Sequence, residues 1–181
     1  MATVPTVLTA AIGDDLTAAG FNAGVGNALT FLLRGAPFCA INQGTAQAAF
    51  AASTFTSITF DTEVADTDSQ HSTSSNTSRI NIGTTLGFYL VTGVVAFASN
   101  STGGTRRAQL ALNGTGIGGS QGISPVSSSI VSAAINPTVV QATSSGDYIE
   151  LQGWHDASSS VATLVSGSYR CSLTALFVRA P

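Results

Sequence analysis

The residues of this chain that could perform hydrolysis stand at the end of one predicted strand. His155 and Asp156 directly follow Trp154, and three consecutive serines, Ser158–Ser160, come shortly afterwards. A histidine–aspartate pair activates a serine only when the fold brings all three side chains into hydrogen-bond reach. The spacing places no nucleophile against His155, and the serines are typical of a loop. We therefore expect no catalytic residue and no enzymatic activity.

A metal site is the second possibility. Carboxylate oxygens bind Ca²⁺, and four acids alternate with other residues near a predicted loop: Asp61, Glu63, Asp66 and Asp68. No EF-hand pattern accompanies them, so solvated loop acids are the preferred interpretation. A zinc pair formed by His71 and His155 is a weaker hypothesis. We expect neither a metal nor a cofactor.

One predicted strand combines aromatic and amide side chains on a single face. Tyr148 and Trp154 lie on that face, with Glu150 and Gln152 between them. Such a face can bind sugars, but the core of a β-sandwich uses the same residues more often. Both a sugar-binding face and a face that packs in the core are compatible with the sequence.

Charge is scarce in this chain. Only 8% of the residues are charged, none is lysine, 44% are hydrophobic and the net charge is -3, whereas an average soluble domain carries about 25% charged residues. The surface must therefore be neutral and polar, or be buried against other copies of the chain. Nucleic-acid binding is not expected, because the six arginines form no basic stripe.

Membrane association and secretion are not expected either. The longest apolar run, Leu86–Ala98, is shorter than the roughly 20 residues that span a bilayer. Met1–Asp15 lacks the basic start of a signal peptide, so we expect synthesis in a cytoplasm. The two cysteines, Cys39 and Cys171, stand outside any CxxC pair, and two free, packed thiols are favoured over a single bridge.

The chain divides into two parts. Residues 1–36 are predicted to form an extended arm and a helix that Asp15 caps and Gly35 ends. Apolar residues recur in this helix at spacings of three and four and form a stripe that must dock on its own domain or on a partner. We expect this stripe to be an anchor that binds a partner: Phe21, Val25, Leu29 and Leu32.

Residues 37–181 are predicted to be all-β. Short strand patterns follow one another with turn clusters between them, and Asn113-Gly114 is the strongest turn signal. This pattern is typical of an antiparallel β-sandwich or jelly roll. The predicted strands are 38–41, 54–60, 79–82, 88–99, 106–112, 126–133, 138–142, 147–155, 161–165 and 169–179, whereas residues 61–79 are predicted to be a long exposed loop or an irregular edge.

Two predicted strands differ in their burial pattern. In Tyr169–Arg179 one face is fully apolar and the other is half polar, as in a strand that packs on one side. In Phe88–Ser99 both faces are apolar, which predicts a cover on each side. The second cover is then the N-terminal helix or a neighbouring subunit, unless that face is simply an apolar outer surface.

The order of these segments resembles the C1q/TNF-like jelly roll. The motifs that carry the resemblance are Ile58–Asp61, the central strand Gly87–Phe97, Arg107–Gly114, Ser145–Leu151 and the terminal strand after Ser166-Gly167. Val165 departs from the family, which has phenylalanine there. The family forms trimers, with the terminal strands near the three-fold axis. The resemblance therefore implies a homotrimer with these interface candidates: Tyr89, Val91, Phe97, Tyr169 and Phe177.

The N-terminal segment has a resemblance of its own. Leu16–Asn22, Val25, Leu29–Leu33 and Pro37 resemble the short leader of virion proteins from tailed bacteriophages. This resemblance implies a structural protein that sits on the capsid surface, binds the major capsid protein or another virion protein, and stabilises the head as a decoration protein. The alternative is a minor tail or fibre protein whose jelly roll binds a receptor or glycan.

Overall fold

The N-terminal helix of the described chain is followed by twelve strands. A computed structural model describes residues 17–181 and, within that range, all side chains except those of residues 32–34. The helix consists of α1 (Ala18–Phe21), a π-helical segment (Asn22–Gly26) and α2 (Asn27–Arg34). The strands are β1 (Phe38–Asn42), β2 (Thr56–Ser57), β3 (Thr62–Asp66), β4 (Arg79–Asn81), β5 (Gly87–Phe97), β6 (Arg106–Leu112), β7 (Thr115–Gly116), β8 (Gly122–Ser124), β9 (Val131–Ala134), β10 (Thr138–Ala142), β11 (Tyr148–His155) and β12 (Ser172–Arg179).

The strands form two antiparallel sheets that face each other. The first sheet has the order β10-β5-β12-β1-β3, with β9 also paired to β5. The second has the order β2-β11-β6-β7, with β4 paired to β11 and β8 paired to β6. The last strand, β12, lies in the first sheet between β5 and β1. The predicted antiparallel β-sandwich is confirmed.

The hydrophobic core fills the space between the sheets. On β12 the predicted apolar face is buried, with Leu173 and Ala175 at 0% exposure and Phe177 at 6%. On β5 the core face carries Tyr89 and Val91, both fully buried. β12 and the first half of β5 therefore turn one face inward and the other outward, whereas Val95, Ala96 and Phe97 at the end of β5 are buried on both faces.

The adjacent arginines on β6 point to opposite sides of the second sheet, because side chains alternate along a strand. Arg106 is fully buried, and its Nη1 donates to the Gly103 carbonyl at 3.3 Å. Burial lowers the pKa of the Arg106 guanidinium, and the charge of Asp156 partly offsets this effect. Arg107 lies outside, over the Trp154 ring.

The segment 61–79 forms in part the predicted irregular edge, because the pairing of its strand with β1 has a register shift, but part of it is buried where an exposed loop was the other prediction. It contributes the edge strand β3, and beyond that strand the polar side chains of Asp68, Gln70 and His71 are buried. The reason is that the Asp66 carboxylate accepts hydrogen bonds from the backbone N–H groups of Asp68, Gln70 and His71. With these donors satisfied, a segment without apolar residues can close one end of the core.

Three other predicted strands are shorter or displaced. Residues 54–60 form a strand only at Thr56–Ser57, and residues 161–165 make isolated bridges rather than a strand. Strand β9 begins at Val131 and not at Val126, because residues 125–130 form an exposed connection that contains Pro125 and three serines.

The helix begins and ends close to the predicted positions. Thr17 is its N-cap, with Oγ1 accepting from the Gly20 N–H at 3.1 Å. The cap is therefore two residues later than the predicted Asp15. Gly35, with a φ of 89°, ends it as predicted. The predicted extended arm lies outside the described residues. Across residues 17–181, no helix combines the length and apolar character needed to cross a membrane.

Both cysteines are free and buried, which confirms the favoured interpretation. Burial raises the pKa of the Cys171 thiol to about 12. The Cys39 pKa is raised chiefly by burial and further by the charges of Asp66 and Glu63. Both thiols therefore remain protonated and inert at neutral pH.

Candidate subunit interface

The outward side of the first sheet presents apolar side chains to solvent. One cross-strand row contains Val139 on β10, Leu90 on β5, Leu176 on β12 and Phe38 on β1, which are neighbours in the strand register. Their exposed fractions are 59% for Val139, 37% for Leu90 and 41% for Leu176. We call this row and the adjoining outward residues of the same four strands the open face.

On one side of this row the open face consists of small uncharged residues, whereas on its other side Phe88 lies under the Arg179 guanidinium, whose central carbon is 4.6 Å from the ring centroid. The next row contains Thr92, Thr174 and Ala40, and the row beyond it contains Val94, Ser172 and Asn42. None of these side chains carries a charge. A flat, uncharged and partly apolar sheet surface is what a protein–protein interface requires, because little desolvation of charge opposes contact.

The structure corrects most of the predicted interface residues. Tyr89, Val91 and Phe97 are fully buried and Phe177 is 6% exposed, so these four form part of the core of the chain itself and offer almost no surface to a partner. Tyr169 is 47% exposed and remains available. The correction arises because both faces of β5 are apolar, and the sequence alone does not say which face meets the second sheet.

The predicted anchor stripe lies on the exposed side of the helix. Phe21 and Leu29 are 46% and 49% exposed, and Val25 is partly buried. The side chain of Leu32 lies outside the described residues. Phe31, which the stripe omitted, attaches the helix to the sandwich through an edge-to-face contact with Phe177 at a centroid distance of 6.0 Å.

The outward side of the second sheet, unlike the open face, carries arginine–aromatic pairs and hydrogen-bonded polar side chains. Here Arg79 covers the Tyr148 ring at 3.8 Å, and Arg107 covers the Trp154 ring at 4.1 Å. Between these pairs, Gln109 Nε2 donates to Gln152 Oε1 at 2.8 Å, and the Ser78 hydroxyl donates to Glu150 at 2.7 Å. The aromatic–amide face noted in the sequence therefore lies on the outer side of the second sheet, with the two rings partly exposed and Glu150 and Gln152 buried beneath their neighbours.

The possible catalytic dyad is not assembled. His155 is fully buried and its Nε2 lies 3.0 Å from the carbonyl oxygen of Phe50. Asp156 instead accepts from the Thr105 N–H, and Ser159 bonds to Asn100. The fold thus uses His155 and Asp156 in separate contacts that fix neighbouring segments.

The alternating acids are engaged by protein donors. Asp61 accepts from the Gly44 N–H, which is the largest cause of its lowered pKa. Glu63 Oε1 lies 3.0 Å from His71 Nδ1. His71 and His155 lie in separate environments, and within residues 17–181 no three potential ligands come close enough to hold a metal ion.

Comparison with known proteins places the fold. No family model matches the chain, and no curated protein matches it in sequence. Among solved structures, a crystal structure of murine APRIL has a TM-score of 0.52 and 13% identity, covering 78% of this chain and 98% of APRIL. Eiger TNF from S. frugiperda has a TM-score of 0.52 and 13% identity, covering 80% of this chain and 96% of that one. This chain therefore has the TNF-like jelly-roll fold.

Proposed function

We propose that the chain is a non-enzymatic structural subunit that assembles as a homotrimer through the open face. The observation that carries the proposal is the uncharged row of Val139, Leu90, Leu176 and Phe38, which is exposed on β10, β5 and β12 and partly exposed on β1. TNF-like folds typically assemble as trimers, and burying apolar surface contributes about 25 cal/mol per Å². A chain with so little surface charge gains solubility when this face is covered.

A charge in the centre of the open face tests this proposal. Leu176→Glu is expected to convert the trimer to a monomer, because a buried carboxylate would have no partner there. Ile123→Glu is the matched control: Ile123 is 62% exposed on β8, away from the open face, and this variant should remain trimeric. Sedimentation velocity reports the mass. A monomeric parent chain at micromolar concentration, or a trimeric Leu176→Glu, overturns the proposal.

The same subunit is proposed to act as a bacteriophage head decoration protein. Three features support this: the leader resemblance in residues 16–37, the composition without lysine, and the exposed Phe21 and Leu29 on a helix that Phe31 fixes to the sandwich. In this proposal the helix binds the major capsid protein or another virion protein, and the trimer stabilises the outer surface of the head after synthesis in the host cytoplasm. The chain binds neither nucleic acid nor membrane.

Labelling of virions tests the decoration proposal. Gold-labelled antibodies against this chain should mark the head lattice of virions that contain it, and a Phe21→Ser/Leu29→Ser double variant should lose that attachment while keeping its trimeric mass. An Asn27→Ser variant on the same exposed helix is the control and should still attach. Label at the tail tip, or a chain that never copurifies with particles, contradicts head decoration.

A minor tail or fibre protein that binds a receptor or glycan is the second candidate. The partly exposed rings of Tyr148 and Trp154 favour it, since sugar sites use such rings, although Glu150 and Gln152 between them are only 6% and 8% exposed. Arg79 and Arg107 already cover one side of each ring, which is why this candidate stands second. Binding on a glycan array that Trp154→Ala abolishes would favour it over decoration.

A further inference from the structure

His71 is a buried histidine with an oxygen atom against each of its ring nitrogens. Its side chain is fully buried, Nδ1 lies 3.0 Å from Glu63 Oε1, and Nε2 lies 3.2 Å from the carbonyl oxygen of Thr77. Both oxygens accept hydrogen bonds and neither is a donor. A neutral imidazole carries one N–H and one lone pair, so it can satisfy only one of these contacts. An imidazolium satisfies both.

The two contacts connect segments that are separate in sequence. Glu63 belongs to edge strand β3, whereas Thr77 follows the exposed serine-rich turn. The Thr77 carbonyl also accepts from the Phe60 N–H at 2.9 Å, and Asn81 N–H donates to the Gln70 carbonyl. His71 thus joins β3, the polar segment over the core and the approach to β4.

Three acidic residues and two neutral titratable groups lie around His71. Glu63 faces the ring, Asp66 accepts from the His71 backbone N–H at 2.9 Å, and Asp68 is buried in the same segment. Cys39 on β1 lies within range of the charges of Asp66 and Glu63, and Tyr89 on β5 lies within range of that of Asp68. Burial raises the pKa of both, that of Tyr89 to about 12 with a further contribution from Asp68. These two groups therefore stay neutral at physiological pH and add no charge to the surroundings of the ring.

We propose that protonated His71 is a pH-sensitive latch that holds residues 67–78 over one end of the β-sandwich. In the charged form it donates to both Glu63 and Thr77. When the ring loses its proton, one nitrogen presents a lone pair to an oxygen, and the weaker of the two contacts opens. The latch is closed at mildly acidic pH and loosens as the pH rises through the range in which histidine titrates. This inference does not depend on trimer formation.

His155 provides an internal reference for this test. The chain has two histidines, and His155 Nε2 faces one carbonyl oxygen, while Nδ1 has no hydrogen-bond partner among the described residues. A neutral ring that carries its proton on Nε2 suits this site. Long-range ¹H–¹⁵N correlation spectra distinguish the imidazolium from each neutral tautomer. At about pH 6, His71 should show the imidazolium pattern and His155 the Nε2–H pattern.

The Glu63→Gln variant distinguishes a pH-sensitive latch from a contact that only packs and does not respond to pH. A glutamine amide can donate to Nδ1 while Nε2–H still bonds to Thr77, so the neutral ring becomes satisfied. Hydrogen-exchange protection factors of residues 67–78 should fall about tenfold between pH 6 and pH 8 in the parent chain, the effect expected when one hydrogen bond to a charged group is lost, and should stay constant in this variant. Asp156→Asn, which leaves the latch intact, should behave like the parent chain.

Each outcome of these measurements decides the proposal. An imidazolium at His71, with a pH-dependent loss of protection that Glu63→Gln removes, supports it. A single neutral tautomer at His71 near pH 6 overturns it, as does equal pH dependence in the parent chain and Glu63→Gln. Protection that is constant across this pH range in the parent chain also overturns it.

Discussion

At the scale of single residues, Asp147 shows how one carboxylate fixes a turn of this fold. It accepts hydrogen bonds from Asn113 Nδ2 at 2.9 Å and from the backbone N–H groups of Thr143 and Ser144. The bond from Asn113 is the largest cause of its lowered pKa, followed by that from the Ser144 N–H. Asp147 therefore joins the turn after β6 to the turn before β11.

Asp147→Asn removes the charge while keeping the shape of the side chain. Because the pKa of Asp147 is lowered in the folded state, its contribution to stability is complete above the unfolded value of about 3.9 and is lost as pH falls. We expect the variant to lose about 1–3 kcal/mol at neutral pH, and the difference from the parent chain to shrink in acid. Urea unfolding at both pH values measures this, and an equal difference at both would contradict it.

At the scale of elements, hydrophobic periodicity predicted some strands better than others. β12 was predictable because its two faces differ in polarity, and Asn113-Gly114 was predictable because both residues accept positive φ, 53° and 78° in the structure. The inward face of β5 was not predictable from two apolar faces. The burial of residues 68–71 was equally hidden, since it depends on hydrogen bonds to Asp66 that no local pattern encodes.

The sequence predicted that an apolar surface of the sandwich would need a cover, but it did not identify the residues of that surface. The sequence indicated a second cover for Phe88–Ser99, and the structure leaves Leu90 of that strand exposed on the open face. The interface candidates, however, were assigned by resemblance to side chains that the core contains. The latch at His71 was missed because its two acceptors lie on either side of it in sequence, and only the fold brings both to the ring.

A close backbone approach at Gly122 brings β8 of the second sheet against β9 of the first sheet. A Cβ atom at this position would lie 1.5 Å from the Ala134 carbonyl oxygen, so any side chain must displace backbone. Gly122→Ala should destabilise the domain by about 2–3 kcal/mol, the upper part of the usual range for single substitutions. Gly118→Ala is the matched control, because nothing lies within 4 Å of its Cβ position. Thermal unfolding compares them, and equal melting temperatures would refute the argument.

At the scale of the whole molecule, the two outer faces divide the surface by chemistry. The three rows of the open face from Val139 to Asn42 have no charged side chain and Arg179 lies beside them over Phe88, whereas the outer face of the second sheet carries Arg79, Arg107 and Glu150. Charged side chains are therefore fewer on the open face than on the outer face of the second sheet. Covering the open face with other copies leaves the polar side in contact with solvent or with a further partner.

This division predicts how assembly responds to salt. Ion pairs between exposed charges weaken as ionic strength rises, whereas burial of apolar surface does not, and sulfate strengthens it. The proposed trimer should therefore keep its mass in sedimentation velocity from about 0.05 M to about 0.5 M sodium chloride, across which the screening length falls from more than 10 Å to less than 5 Å. Sodium sulfate should lower the concentration needed for assembly. Dissociation at high sodium chloride would show that ion pairs hold the subunits together and would contradict an assembly driven by the apolar row of the open face.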